Sequence, residues 1–184
     1  GYNGRESHMK IAYCLCGSFC TLAKGIKELE KLASAGHEII PVMSRCAYET
    51  DTRFGSAHMF RERIVSAAGR DIIHTIAGAE PIGPVMKPEL TIISPCTGNT
   101  LAKLANGITD TPVTMAAKST LRRDIPLVIA LATNDALGAN LANIAIMRNR
   151  KNIHFVPMAM DDPENKPHSL VADFGRLGEV IEKL

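Results

Sequence analysis

Short apolar runs that alternate with amphipathic segments constrain the fold of this chain more than any other feature of its sequence. Five largely apolar runs have the length of a β-strand, at residues 10–16, 38–44, 91–94, 127–132 and 152–157. Continuous apolar runs of this kind are typical of strands that are covered on both faces. Because helical segments separate them, we predict an α/β fold, a parallel sheet with helices on both faces.

The segments between these runs have the spacing of amphipathic helices. In the first of them, over 22–33, Leu22, Ile26 and Leu29 recur on one side while lysines and glutamates occupy the other. The same spacing predicts helices over 58–68, 101–108, 111–121 and 137–148, and a terminal amphipathic helix over 170–184.

Turn and cap signals divide the remainder of the chain. Gly36 is placed to form a left-handed cap after the first helix, and Thr111-Pro112 has the residues of a helix start. Residues 45–56 and 161–168 are polar and predict a loop and a linker, whereas 71–77 predict a short strand.

The composition suits one domain and argues against several classes of function. We interpret residues 1–8 as the remnant of an expression tag and residues 9–184 as one domain that ends in a helix. A net charge of +2 and an aromatic content of 4% disfavour nucleic-acid binding. The longest apolar run, 125–132, has about half the length that a membrane span requires.

The cysteines argue for the cytoplasm and against a metal site. There are five, an odd number, which does not suit a secreted disulfide framework. Cys14, Cys16 and Cys20 lie close together in the sequence, but no second ligand pair stands at the spacing of a structural zinc site. We therefore predict no bound metal, and buried small apolar side chains are the ordinary interpretation of these residues.

The turn after the first predicted strand is a candidate anion site. Gly17 and Ser18 precede a helix, whose first N–H groups lack partners within the helix, and Ser18 and Thr21 add hydroxyl donors. The turn matches neither the phosphate loop of nucleotide triphosphatases nor the dinucleotide fingerprint. The alternative is that Ser18 is an ordinary N-cap.

Two further turns, after the third and fourth predicted strands, carry small polar side chains. The first contains Pro95, Thr97, Asn99 and Thr100, and the second contains Asn134. Each can be explained as turn formation or helix capping alone. Because the carboxyl ends of parallel strands meet at one edge of a sheet, we expect all three turns to converge on one nucleotide site.

The residues of these turns resemble a known family. The run Pro95-Cys96-Thr97-Gly98-Asn99-Thr100, the run 103–108 and the run 133–138 resemble the flavoprotein family of homo-oligomeric flavin-containing cysteine decarboxylases, over nearly all of 9–184. The resemblance implies a three-layer, flavodoxin-like or Rossmann-like fold, FMN as cofactor and a homo-oligomer. By position, Gly17, Ser18 and Thr21 would meet the FMN phosphate, and Pro95, Thr97, Asn99 and Thr100 would line its phosphate and ribityl side, with Asn134 close by.

The longest shared motif is most similar to the branch of this family that takes part in forming dipicolinate from dihydrodipicolinate during sporulation. This resemblance implies an oxidoreductase component, a small dicarboxylate substrate and a partner that is similar to a nicotinamide-dependent dehydrogenase. Because carboxylates are bound by cations, we name Arg53, Lys118 and Arg122 as candidate substrate ligands, although each could be a solvated charge. His58 and His74 are possible proton carriers by residue type.

Two departures from the family pattern disfavour decarboxylation of a cysteinyl peptide. Residues 130–137 retain only Asn134 of a Pro-x-Met-Asn-x-x-Met-Trp signature, and the chain has no Trp. Residues 80–84 carry no His where the decarboxylases have one before the third strand. Besides an oxidoreductase component, two alternatives stay open: a non-catalytic assembly module that supports the dehydrogenase, and another flavin-dependent decarboxylase or prenyltransferase.

Overall fold

A parallel sheet forms the centre of the molecule. The computed structural model describes residues 8–184, so most of the predicted tag, residues 1–7, lies outside the described part. The parallel strands are β1 (Lys10–Leu15), β2 (Glu38–Met43), β3 (Leu90–Cys96), β4 (Leu127–Thr133) and β5 (Ile153–Phe155). Their order is β2-β1-β3-β4-β5, and all four pairings are parallel. A short antiparallel extension adds β6 (Met158–Ala159) and β7 (Leu170–Ala172), of which β7 pairs with the last residues of β4.

Helices cover both faces of this sheet. They are α1 (Phe19–Ser34), α2 (Arg45–Glu49), α3 (Ala57–Ala68), α4 (Ile76–Ala79), α5 (Gly98–Ala105), α6 (Pro112–Arg122), α7 (Leu141–Arg148) and α8 (Leu177–Glu182). One apolar core joins the sheet to α1, α3 and α8, and the other joins it to α4, α5, α6 and α7. The predicted three-layer α/β fold is therefore confirmed.

The sequence pattern explains why both faces are covered. Successive side chains of a strand point to opposite faces, so the continuous apolar run of β1 supplies both cores. Ile11, Tyr13 and Leu15 belong to the core under α1, whereas Ala12 and Cys14 belong to the other. All five side chains are fully buried.

Helix α1 approaches the end of β3 very closely. A Cβ on Gly25 would lie 2.4 Å from the carbonyl oxygen of Ser94 and 2.6 Å from Cδ of Pro95, so only glycine fits at this position. The hydroxyl of buried Tyr13 donates to the carbonyl oxygen of Gly25 at 2.6 Å. These contacts fix α1 relative to the carboxyl ends of β1 and β3.

Two predicted helix boundaries are confirmed by their cap geometry. Gly36 follows α1 with φ of 95°, a left-handed conformation that favours glycine. Thr111 and Thr114 form a reciprocal capping box at the start of α6, with Pro112 in the first turn.

The predicted terminal helix over 170–184 is wrong in its first half. Residues Leu170–Ala172 form β7, a short 3-10 helix spans Phe174–Arg176, and only Leu177–Glu182 is α-helical. The apolar side chains that suggested one helical face instead pair with β4 and fill the core, where Phe174 and Leu177 are buried. This segment packs on the α1 side of the same chain.

Three other predictions in the loops are corrected. In the predicted strand 71–77, Ile73 forms a single parallel bridge with Val42, and residues from Ile76 onward are helical. The predicted loop 45–56 contains α2, which is capped by Ser44. The helix predicted over 137–148 begins at Leu141, because the residues before it form turns around a side-chain network.

Candidate functional site

The three polar turns converge at the carboxyl edge of the sheet. They enclose a cleft of about 290 Å³, which we call the carboxyl-edge cleft. Its wall contains residues from the ends of β1, β3 and β4 and from the segment before β7. The residues that line it are Gly17, Ser18, Phe19, Cys20, Thr97, Gly98, Ala132, Thr133, Asn134, Asp161, Lys166, Ser169 and Val171. The predicted convergence of the three turns is thus present in the structure.

The turn between β1 and α1 presents a helix start to the cleft. Ser18 occupies the N-cap position of α1, but within the described residues its side chain does not bond an N–H of the helix. Its hydroxyl instead bonds the hydroxyl of Thr21 at 2.7 Å. The first turn of α1 contains no acidic residue. The helix dipole and the free end of the helix therefore favour an anion here.

The turn between β3 and α5 is organised by two threonines. Thr97 caps α5, and its Oγ1 accepts from the N–H of Thr100 at 3.2 Å and donates to the hydroxyl of Thr100 at 3.0 Å. Thr100 is buried and lies 3.4 Å from Sγ of Cys16, and the carbonyl oxygen of Pro95 accepts from the N–H of Cys16 at 3.0 Å. Pro95 and Thr100 therefore join two of the turns, whereas Thr97 lines the cleft.

The turn after β4 is held by a hydrogen-bond network around a carboxylate. Asp135 Oδ1 accepts from Thr133 Oγ1 at 2.5 Å and from Asn140 Nδ2 at 2.9 Å. These hydrogen bonds, that of Thr133 first, lower the pKa of Asp135. Gly98 leaves the space for this network, because a Cβ there would lie 2.6 Å from both donor atoms.

Asn134 lines the cleft and is exposed. The N-cap position of α7 is occupied by Asn140, so the predicted alternative role of Asn134 as the cap of the next helix is wrong. The side chain of Asn134 is thereby left at the cleft, where its amide can donate to or accept from a ligand.

Of the eight predicted cofactor residues, four line the cleft and four lie around it. Gly17, Ser18, Thr97 and Asn134 form its wall. Thr21, Pro95 and Thr100 are buried and support the turns, and Asn99 is exposed in the first turn of α5.

Sequence reasoning missed the residues of the wall that come from the predicted linker 161–168. Among the described residues, Lys166 is the cation that lines the cleft, and Asp161 lies there too. The hydroxyl of Ser169 lowers the pKa of Asp161. The topology of the sheet could have predicted their position, because a chain that leaves β5 at its carboxyl end must cross the carboxyl ends of the neighbouring strands.

The structure does not bring the three predicted carboxylate ligands to this cleft. Lys118 and Arg122 line a separate cleft, because α6 runs back along the sheet and ends near the amino ends of the strands. Arg53 lies over the ring of Phe54, 4.9 Å from its centroid. None of the three therefore lies at the carboxyl-edge cleft, and their role as carboxylate ligands stays a prediction.

The two histidines lie in another open cleft, beside the edge strand β2. The ring of His74 stacks on Tyr48 with 3.9 Å between centroids, and Arg61 lies over the same Tyr48 ring. His58 is 3.0 Å from Glu62 on α3. Neither histidine lines the carboxyl-edge cleft.

The cysteines do not form a metal centre in the described part of the chain. Among residues 8–184, no group of three or more His, Cys, Asp or Glu is placed to hold a metal ion. Burial raises the pKa of the thiols of Cys14, Cys16 and Cys96, which keeps them protonated. Nor does any helix of these residues have the length and apolarity to cross a bilayer.

Comparison with known proteins identifies the family. The model of the Flavoprotein family matches residues 2–180. The chain belongs to the Flavoprotein family. The fold and the convergent turns described above are thus those of a Flavoprotein family member, as the sequence motifs predict.

Two relatives within this family are similar along nearly the whole chain. The chain is 41% identical over 174 residues to the dipicolinate synthase B subunit of Bacillus subtilis (strain 168), which covers 95% of this chain and 87% of the relative. The crystal structure of the dipicolinate synthase B subunit from Bacillus halodurans C has a TM-score of 0.86 and 38% identity, covering 95% of this chain and 89% of that one. The chain is therefore a homologue of the B subunit of dipicolinate synthase.

A more distant relative has the same fold. The FMN-dependent cysteine decarboxylase SpaF superposes with a TM-score of 0.69 at 22% identity, covering 95% of each chain. At this level of identity the similarity shows the fold alone.

Proposed function

We propose that this chain is a subunit of dipicolinate synthase that binds FMN in the carboxyl-edge cleft. It acts in the cytoplasm during sporulation with the A subunit of dipicolinate synthase, which is similar to a nicotinamide-dependent dehydrogenase. Together the two subunits dehydrogenate dihydrodipicolinate, a small dicarboxylate, to dipicolinate. The observation that carries the proposal is the convergence of the turns at Gly17, Thr97 and Asn134, which are far apart in the sequence, on one cleft.

The residues of the cleft suit a phosphorylated ligand. The starts of α1 and α5 both border it, and neither helix has an acidic residue in its first turn. Ser18 and Thr97 supply hydroxyl groups, and Lys166 supplies a positive charge. Asp161 is the carboxylate of the wall, and Lys166 opposes its charge. Helix starts, hydroxyls and a lysine together are a favourable environment for a phosphate.

The size of the cleft suits one end of the cofactor. Its volume of about 290 Å³ is at the lower end of the range for small-molecule sites. We therefore assign it to the phosphate and ribityl chain, held by Ser18 and Thr97, with Asn134 toward the ring. The ring then extends beyond the cleft, which fits the homo-oligomer implied by the family resemblance.

Bound FMN would supply the capacity to accept and pass on a hydride or electrons. The chain itself would bind and orient this group. Gly98 and Gly25 would keep the turns in position by allowing close backbone approach.

The test is a titration with two flavins that differ only in the phosphate. Quenching of flavin fluorescence is measured with FMN and with riboflavin for the unmodified chain, Ser18→Ala and Ser66→Ala. We expect FMN to bind more tightly than riboflavin, and Ser18→Ala to weaken FMN binding by about tenfold, the effect of one hydrogen bond to a charged group. Riboflavin affinity should change little, because it lacks the phosphate.

Ser66→Ala is the matched control, since Ser66 is exposed on α3 and does not line the cleft. Equal affinities for FMN and riboflavin, or an unchanged FMN affinity in Ser18→Ala, would refute the assignment of this turn to the phosphate.

A reconstitution assay tests the catalytic part of the proposal. Dipicolinate formation is followed with the A subunit by itself and after addition of this chain. We expect the rate to rise and the rise to depend on FMN. A rise without dependence on FMN would instead support the assembly module, and turnover of a cysteinyl or prenyl substrate would support another flavin-dependent enzyme.

A further inference from the structure

A second cleft of the molecule concentrates positive charge outside the carboxyl-edge cleft. It has a volume of about 410 Å³ and lies between the end of α5, one side of α6 and the residues after α7. We call it the α5–α6 cleft. It shares no residue with the carboxyl-edge cleft within the described chain. Lys118, Arg122 and Arg150 line it, and no Asp or Glu does so among the described residues.

The positive charge of this cleft is not neutralised by the protein. In residues 8–184, neither Lys118 nor Arg122 forms an ion pair. The carboxylates close by in sequence are already engaged, Asp110 with Lys103 at 2.9 Å and Asp124 with Lys151 at 3.6 Å. An anion that enters the cleft therefore meets Lys118 and Arg122, which pair with no other charge among the described residues.

The two cations of α6 repel each other. Lys118 and Arg122 are four residues apart, so they lie one above the other on the same side of the helix, and like charges at this spacing destabilise it. A bound anion would relieve this repulsion. The arrangement is thus unfavourable without a ligand and favourable with one.

Arg150 is fixed in place from the opposite side. Its guanidinium donates to the carbonyl oxygens of Leu104 and Ala105 at 3.1 and 2.9 Å, which are the last carbonyls of α5. These bonds offset the negative end of the helix dipole and orient the guanidinium. Its remaining N–H groups are available to a carboxylate.

Between these cations the cleft has an apolar surface. Leu104 and Leu121 are largely buried there, and Ile108 is 46% exposed. A ligand that fits both features has an apolar body and negative groups at its ends. Phosphate or a sugar phosphate would satisfy the cations but leave the apolar surface uncovered.

We propose that the α5–α6 cleft binds a small dicarboxylate with an apolar body, with one carboxylate at Lys118 and Arg122 and the other at Arg150. This class of ligand is derived from the cleft, whereas the choice of pyridine-2,6-dicarboxylate as the probe rests on the proposed function. The cleft is then a second site for a dicarboxylate, away from the edge of the sheet at which the nucleotide binds.

The test uses the full chain, measures the affinity for the ligand and shows where the ligand binds. Pyridine-2,6-dicarboxylate is titrated calorimetrically and followed by methyl NMR. We expect saturable binding with shifts of the methyl signals of Ile108 and Leu121, and none of Val171, which lines the carboxyl-edge cleft. Shifts confined to Val171, or no saturable binding, would overturn the proposal.

Two double variants separate a specific site from general charge attraction. Lys118→Ala/Arg122→Ala should weaken binding by about tenfold or more, because it removes a charge-assisted contact with one carboxylate. Lys24→Ala/Lys27→Ala removes the same charge from exposed positions of α1 and should leave the affinity unchanged. An equal loss in both variants would refute the site. All four residues are exposed, and urea unfolding checks that each variant folds.

Analogues test the ligand class. Benzene-1,3-dicarboxylate should bind as the pyridine compound does, and benzoate and inorganic phosphate should both bind more weakly. Benzoate that binds equally well would refute the requirement for two carboxylates. FMN affinity, measured on the same samples, reports on the proposed function alone, so a chain that fails to bind FMN can still show the methyl shifts at Ile108.

Discussion

Replacing Gly25 with alanine tests whether close contact between α1 and β3 builds the carboxyl-edge cleft. A Cβ at this position would lie 2.4 Å from the carbonyl oxygen of Ser94 and 2.9 Å from its carbonyl carbon. Both atoms belong to the backbone of a central strand and cannot turn aside as a flexible side chain can. Helix α1 must therefore move outward, and the hydrogen bond from Tyr13 to the carbonyl oxygen of Gly25 must lengthen.

Two destabilising contributions and one stabilising contribution set the change in the free energy of unfolding. Overpacking of a close-packed interior costs about 1–3 kcal/mol, and loss of the Tyr13 hydrogen bond about 1 kcal/mol. The better helix propensity of alanine returns about 1 kcal/mol. We expect Gly25→Ala to lower the free energy of unfolding by about 1–3 kcal/mol, and to weaken FMN binding because the start of α1 moves.

Urea unfolding measures this change, with Gly178→Ala as the matched control. Gly178 lies in α8, and a Cβ there would have no atom of the described residues within 4 Å. The control should gain up to about 1 kcal/mol from helix propensity. If Gly25→Ala is as stable as the unmodified chain, or gains stability as the control does, the contact with Ser94 does not constrain α1 and the reasoning fails.

Two further predictions concern the turns and caps. Thr111→Ala removes the capping box of α6 and should lower the free energy of unfolding by about 0.5–2 kcal/mol; an unchanged urea midpoint would contradict the cap's role. Thr133→Val removes a hydrogen bond to Asp135 and should raise the pKa of that carboxyl, as followed by carboxyl NMR titration. Because the folded chain lowers this pKa, the ionised carboxylate stabilises it at neutral pH, and that contribution is lost as the pH falls through the folded-state pKa. The variant should therefore show a smaller loss of stability on acidification, and an unshifted Asp135 titration would contradict the network.

From the sequence, only those residues of the candidate site that lie in the turns after the strands could be predicted. Gly17, Ser18, Thr97 and Asn134 were found because each follows a buried strand, and parallel strands bring such turns to one edge. Lys166 was missed because its contact with the cleft depends on β6 and β7, which are too short to give a pattern.

By itself, the sequence determined the strands, their parallel arrangement and the two-sided cover, because continuous apolar runs and helical spacing are local properties of the chain. The tertiary structure alone decided which charges meet. Lys118 and Arg122 share a helix with a strong pattern, yet their helix runs back to the amino ends of the strands, so they join Arg150 and not Ser18. Contacts between residues that are distant in sequence set the direction of each helix relative to the sheet. A local sequence pattern therefore cannot predict which charged side chains come together.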